Sequence, residues 1–432
     1  MGKWHDATIG DTFDLTTGYA FKSADFVPAG IPVIKIKNVK AGYFREHEFS
    51  YVSPKFLAGR PEKLAQANDL LISMSGNRHD GSPDTWVGKV AIFQKSSPYF
   101  INQRVGALRP KKTAAIDVRF FGFLLSSIPY QELFISIATS SGGQANLSPQ
   151  QIFSAPVRYP DLRTQQEIAS LLGALDDKIE LNRQTNDTLE ALARAIFKDW
   201  FVDFGPTRAK AEGRSPYLAP ELWDLFPDAL EDHDKPEGWR IGTVGECFHL
   251  TMGQSPPGST YNDDGDGLPF FQGRTDFGFR YPESRKYCSA PTRIAQTDDT
   301  LISVRAPVGD INMAWAKCCV GRGVAALRHM SGSVSFTYYS AWAIQQELQQ
   351  YEHTGTVFGA INKKQFEALK TIEPATEIVR FFDEYVGPLD QRIRENVSET
   401  RTLAQTRDLL LPKLMSGEIR LREAEKIVED AA

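Results

Sequence analysis

The chain has 432 residues, more than one hydrophobic core accommodates, so two or more domains are expected. With 41% hydrophobic and 24% charged residues it has an ordinary globular composition, and no apolar run approaches the roughly 18–20 residues of a membrane span. The net charge of −5 argues by itself against a polyanionic partner, but its distribution reverses that argument for part of the chain. Residues 1–160 hold 18 Lys and Arg against 12 Asp and Glu, whereas residues 161–232 hold 8 against 15. Residues 233–374 are nearly balanced, with 14 against 15, and residues 375–432 are mildly acidic, with 9 against 12. A basic first block attracts polyanions, while acidic helical segments face protein partners. The opening "MGKWHDATIGDTF" has no apolar signal core, which points to the cytoplasm.

In chain order, residues 1–160 read as a mixed block. Short β-type runs such as "IPVIKI" and "VGKVAIF" alternate with Gly and Pro turns, and "VRFFGFLLSS" reads as a helix. Gly142 and Gly143 mark a loop before a last strand ending at Pro160. Residues 161–201 form one long helix. Leu175, Ile179, Asn182, Asn186, Leu189, Ala193, Ile196 and Trp200 step by 4, 3, 4, 3, 4, 3, 4, a heptad seam. Residues 202–235 read as a linker whose aromatics dock in part. A second mixed block covers 236–374, with "LPFFQG", "TLISV" and the helical "SFTYYSAWAIQQELQQY". Gly355 and Gly359 mark its last loop. A second helix covers 375–418, where Leu389, Ile393, Asn396, Thr400, Leu403, Arg407, Leu410 and Leu414 repeat the same steps. Residues 419–432 form a tail.

The halves are copies. Leu175 matches Leu389, Asp176 matches Asp390 and Asn182 matches Asn396, each at an offset of 214. "LISMSG" meets "LISVRA" at 230, and "WHDATIGDTFDLTTG" meets "WRIGTVGECFHLTMG" at 235. The fold class expected is α+β. Two mixed α/β domains form a pseudo-symmetric repeat, separated by a long antiparallel two-helix coiled coil in which a buried Asn pair sets register. Asn182 and Asn396 stand at equivalent points, and which Asn pairs with what stays open.

Catalytic and metal motifs fail. "GNRHDGS" has phosphate-loop glycine spacing but no Lys, and "SPPG" has Gly258 where a methyltransferase needs an aromatic residue. In "PDALEDHDK", His233 stands where a nuclease needs a carboxylate, and His79, His249 and His329 lack nucleophile partners. Cys247, Cys288, Cys318 and Cys319 form no CxxC pair and read as reduced, buried thiols. No catalytic residue and no metal ligand is therefore assigned.

Recognition chemistry remains. Arg and Asn read guanine and adenine edges with paired hydrogen bonds, and polar loops at matched places differ between the halves. The candidate DNA-binding residues of the first block are Lys35, Lys37 and Asn38 in "KIKNVK", Ser75, Asn77, Arg78 and His79 in "SMSGNRHDGS", Arg104, and Gln144 and Asn146 in "GGQANLS". In the second they are Gln272, Arg274 and Thr275 in "QGRTDF", Arg305 in "SVRAPVGD", and Asn362 and Lys363 in "VFGAINKK".

Two mixed blocks, each followed by a helix bearing "LDxxIxxN", resemble the specificity (S) subunit of type I restriction–modification systems. "LISMSG", "INQRVGALRP", "PDLRTQQEIASLLGALDDKI", "IFKDWFVDFGP", "PEGW" and "LLPKLMSGEIRL" resemble that family's segments along essentially the whole chain. One departure is "PATEIVRFFDEYVGPLD", which lacks the Gln-Glu of "QQEIASLLGALD". The resemblance implies that each block is a target recognition domain reading one half of a split DNA sequence, with the helices setting the spacer. It implies two methyltransferase (M) subunits using S-adenosylmethionine and restriction (R) subunits using ATP and magnesium, none of these cofactors being bound here. On the residues alone three other readings stay open: an S-like subunit of another DNA-modification defence system, a coiled-coil scaffold that binds no DNA, and a self-contained enzyme such as a methyltransferase fused to a recognition domain.

Overall fold

The structure, a computed structural model, describes residues 4–80, 82–96, 98–141, 144–231, 234–352 and 359–431. Gly142, Gly143, His233 and Gly355 lie outside the described residues. The chain divides into two compact units, Met1–Asn182 with Ser398–Ala432, and Arg183–Val397.

In the first unit, His5–Thr8 pairs antiparallel with Pro156–Tyr159, so the two ends of the block meet. Thr8 and Asp11 cap a one-turn helix, Ile9–Thr12, through a 2.8 Å bond from the Thr8 N–H to Asp11 Oδ2. An antiparallel sheet follows, in the order Phe13–Thr17, Val105–Pro110, Asp69–Ser73, Val90–Phe93. Its central strand "DLLIS" is buried throughout, as a continuous apolar run between neighbours requires. Helix Val118–Ser126, capped by Asp117 on the Phe120 N–H, lays Phe120, Phe121, Leu124 and Leu125 on this core. Gly18 is obligatory, since a Cβ there would lie 2.1 Å from the Asn102 carbonyl oxygen.

The second unit repeats this plan. Arg240–Thr243 pairs with Lys370–Glu373, and Thr243 with Glu246 caps Val244–Cys247. The sheet order is Phe248–Met252, Val324–His329, Thr300–Ser303, Ile311–Met313. The repeat extends to ion pairs on a buried Asp. Arg109 meets Asp69 at 2.8 and 2.9 Å, and Arg328 meets Asp299 at 2.7 Å; each Asp also takes the N–H three residues earlier. Just before each Asp, Asn68 and Asp298 both adopt positive φ, 70° and 66°. The segment read as a linker is largely packed: Thr207, Ala209, Leu222, Trp223 and Phe226 are buried, and Leu222 and Phe226 join the core of the second unit. The tail is also ordered, as helix Leu421–Ala431, with Ala424 in the core of the first unit.

The long helices are Leu162–Phe201 and Thr376–Ser416, and their partners run in opposite directions. In the first unit Asp176 meets Arg407 at 2.8 Å, Lys178 meets Glu399 at 3.2 Å, and Asn182 donates to Glu399 at 2.8 Å. In the second, Asn396 donates to Asn186 at 2.8 Å, and Phe197 packs on Phe382. Within each unit the Asn residues find partners on the opposite helix: Asn182 meets Glu399 and Thr400, and Asn396 meets Asn186. The pair Asn182–Thr400 becomes Asn396–Asn186 when each member moves by the repeat offset of 214.

Of the expected seam, Leu175, Asn182, Asn186, Ala193, Trp200, Ile393, Asn396, Leu410 and Leu414 are buried. Ile179, Leu189, Ile196, Leu389 and Leu403 are half-buried. Each helix must also cover the adjoining block, and that widens the apolar stripe toward Phe197 and Phe382. Among the described residues no single helix is long and apolar enough to cross a membrane. The bent pair Val118–Ser126 and Ile128–Ile137 has the length and composition together, but its Phe120, Phe121 and Phe134 are buried in the first core.

Candidate nucleic-acid interface

In the first unit, three loops converge on a small ribbon. Gln144–Asn146 pairs with Thr139–Ser141 on one side and with Ser75–Gly76 on the other. Gly76 is required there, because a Cβ would lie 2.6 Å from the Val87 nitrogen. The Met74 N–H donates to the Arg104 carbonyl at 2.8 Å, bringing the third loop in. Most candidates therefore come together. Ser75 donates to Asn146 at 2.6 Å, exposed Arg104 reaches Gln144 at 3.3 Å, and Asn77 donates to Thr85 at 3.0 Å. Arg78 donates to the Ala138 carbonyl at 2.6 Å, and His79 contacts Glu132 at 2.8 Å beside the Trp86 ring.

Lys35, Lys37 and Asn38 occupy a separate turn. Lys37 is exposed and pairs with Glu48 at 3.5 Å. Lys35 donates to Ser50 at 2.8 Å and lies 4.2 Å from the centre of the Phe26 ring. Burial, and then Lys37, lower its ammonium pKa from the ordinary value. Asn38 is a correction. It is fully buried, its amide donates to the Arg45 and His47 carbonyls at 3.2 and 3.0 Å, and its oxygen accepts the Lys35 N–H at 3.0 Å. It shapes the turn and has no group left for a base.

In the second unit Gln272, Thr275 and Arg305 are exposed, and Arg274 pairs with Asp310 at 3.1 Å. Lys363 pairs with Glu367 at 3.4 Å. Asn362, exposed, also has a local role: its side chain accepts the Gln365 N–H at 3.0 Å as a helix cap, the counterpart, at offset 214, of Ser148 capping Gln151. A cap explains why a small polar residue recurs there. Arg293 and Arg322, also exposed, were missed by residue pattern. The Gln254 side of one loop approaches them through Val320, whose N–H donates to the Arg293 carbonyl at 3.0 Å, and through a 3.4 Å bond from the Arg322 N–H to Ser255. A lone Arg in a turn carries no periodic signal that would single it out. Among the described residues none gives Arg293, Arg305 or Arg322 an ion pair.

One comparison aligns the two surfaces residue by residue. The backbone pair Ser75 with Asn146 corresponds to the bridge Arg305 with Ala360, at offsets of 230 and 214. One position thus presents a short hydrogen-bonded Ser–Asn pair, and its copy presents a long cation beside a methyl group.

All four cysteines are free and buried, and burial pushes the Cys318 thiol up to about 12. Among the described residues no group of three or more His, Cys, Asp or Glu is placed to hold a metal ion.

Residues 1–191 match the family model of the type I restriction modification DNA specificity domain. The chain is 29% identical over 341 residues to a putative type I restriction enzyme specificity subunit of Methanocaldococcus jannaschii, covering 78% of this chain and 76% of that one. It is 26% identical over 490 residues to the type I restriction enzyme HindI specificity subunit of Haemophilus influenzae, covering 97% and 100%. A crystal structure of a type I restriction–modification system S subunit from M. genitalium matches with a TM-score of 0.58 and 18% identity over 96% of each chain, a likeness of fold.

Proposed function

We propose that this chain, whose residues 1–191 match the specificity-domain model and whose relatives are specificity subunits, is itself such a subunit and reads a bipartite DNA target, one half-site with each recognition block. The observation that carries this is the matched bridge: one backbone scaffold holds Ser75 and Asn146 in one copy and Arg305 and Ala360 in the other. Duplicated scaffolds keep their geometry while their polar tips diverge, which suits two different base sequences. The candidate contacts are Lys35, Lys37, Ser75, Asn77, Arg78, His79, Arg104, Gln144 and Asn146 on the first surface. On the second they are Gln272, Arg274, Thr275, Arg305 and Lys363, with Arg293 and Arg322 added. Exposed Lys37, Arg293 and Arg322 suit phosphates, and Arg104 with Gln144 suits a base edge.

In this reading the antiparallel helices set the spacer between half-sites, and the chain itself catalyses nothing. Two methyltransferase subunits carrying S-adenosylmethionine and restriction subunits carrying ATP and magnesium would assemble on it in the cytoplasm. Single-molecule methylome sequencing of cells with and without the chain and its methyltransferase partner tests it. A methylated motif of two short half-sites around a fixed spacer, lost with the chain, is the expected result; an unchanged methylome would overturn the reading.

A further inference from the structure

Arg280 is 1% exposed, yet it lies in the same segment as the candidate readers Gln272, Arg274 and Thr275. It sits where the second block meets both long helices of its own unit. One guanidinium nitrogen faces Glu190 of the first helix at 3.3 Å, and the other contacts Asp390 of the second. The guanidinium lies 3.5 Å from the centre of the Tyr338 ring. Asp390 also accepts the Tyr339 hydroxyl at 2.7 Å and the Ser335 hydroxyl at 2.6 Å. Glu190 is shared with Arg194, which rests on Trp342, so two cations balance two carboxylates. The same segment is tied to the sheet by 2.9 Å bonds from the Met313 N–H to the Arg280 carbonyl and from Asn312 to the Gly278 carbonyl.

Burying such a network costs several kcal/mol per ion, and packed apolar side chains would hold the block at least as firmly. What a planar, forked cation supplies and a leucine lacks is direction. The first unit does without it. There the matching carboxylate, Asp176, is met by Arg407 of the helix pair itself, and the block reaches the helix through the neutral Gln165, which accepts the Asp117 N–H at 2.8 Å, and the exposed pair Arg119–Asp177 at 3.1 Å.

We propose that Arg280 is a positioning residue for DNA recognition: it fixes the angle at which the second block presents its reading segment on the helix pair, and so selects the spacer length accepted. This rests on the bipartite reading above. One base pair of spacer displaces a half-site by about 3.4 Å and turns it by about 35°, so an angular anchor is what discriminates it.

The test is equilibrium binding of the full chain with its methyltransferase partner to duplexes whose spacer varies by single base pairs. The unaltered complex is expected to prefer one spacer by roughly tenfold over its neighbours. Arg280→Lys, which keeps the charge but loses the fork, and the charge-balanced double variant R280M/D390N, which leaves Glu190 with Arg194, should narrow that to about twofold with half-sites unchanged. Arg119→Ala should keep the roughly tenfold preference. Folding is checked by melting temperature, which the double variant should retain better than R280M alone. Undiminished spacer discrimination in both Arg280 variants overturns the assignment; an unaltered complex with no preference for split duplexes overturns the bipartite reading instead.

Discussion

Asn38 and Arg104 share a residue-type argument, since both can read a base edge, and they end in opposite environments. Asn38 is buried with both ends of its amide engaged by backbone, whereas Arg104 is exposed beside Gln144. Arg104→Ala is therefore expected to relax preference at one base position by ~1–3 kcal/mol, read from binding to single-base variants of the target, with no change in melting temperature. A uniform loss across all variants would make Arg104 a phosphate contact instead. Lys89 carries a different prediction. Burial, then Lys40, pull its ammonium down to about 8, against the pull of Asp84. The folded pKa lies below the unfolded value of 10.5, so the native state favours neutral Lys89. The resulting penalty is fully present below pH 8 and fades as pH rises from 8 to 10.5. Lys89→Met should raise the melting temperature at pH 7 by about 2–4 °C and by less at pH 10. An equal rise at both pH values would assign the gain to packing.

At the scale of elements, the helix pair mixes apolar seam positions with polar ones. Asn186 with Asn396 is buried, and a buried amide pair costs stability while selecting one register. The double variant N186L/N396L is expected to melt at a higher temperature, since leucines pack without desolvating amides. A lower melting temperature in calorimetry would show that the amide pair outweighs the leucines it displaces. The departure at the second helix start also has an element-level cause. Gln165 is buried and holds the Pro160 carbonyl at 2.8 Å and the Asp117 N–H at 2.8 Å. Its counterpart at offset 214, Val379, fills the same kind of position with apolar packing. The loss of Gln165 in the second copy is thus accounted for by how each helix is fastened inside its own unit.

For the molecule as a whole, the ruler reading makes a length prediction. One extra helical turn in each long helix adds about 5.4 Å against roughly 3.4 Å per base pair, so the spacer should change by one to two base pairs. The half-sites should stay as they are. Methylome sequencing that found altered half-sites and an unchanged spacer would sink the ruler. Repeat, heptad steps, helix ends within two residues and the order of blocks were all legible along the chain, because offsets and periods are properties of residue order. The capping Thr8–Asp11 and Thr243–Glu246 were legible in principle for the same reason. Partnerships between distant residues were not. Asn182 meets Thr400 and Asn396 meets Asn186, Asn38 and Asn362 close on their own turns, and Arg280 finds Glu190 and Asp390 across 90 and 110 positions. Those contacts exist only once the chain has folded back on itself, where burial and direction choose among side chains that residue type leaves equivalent.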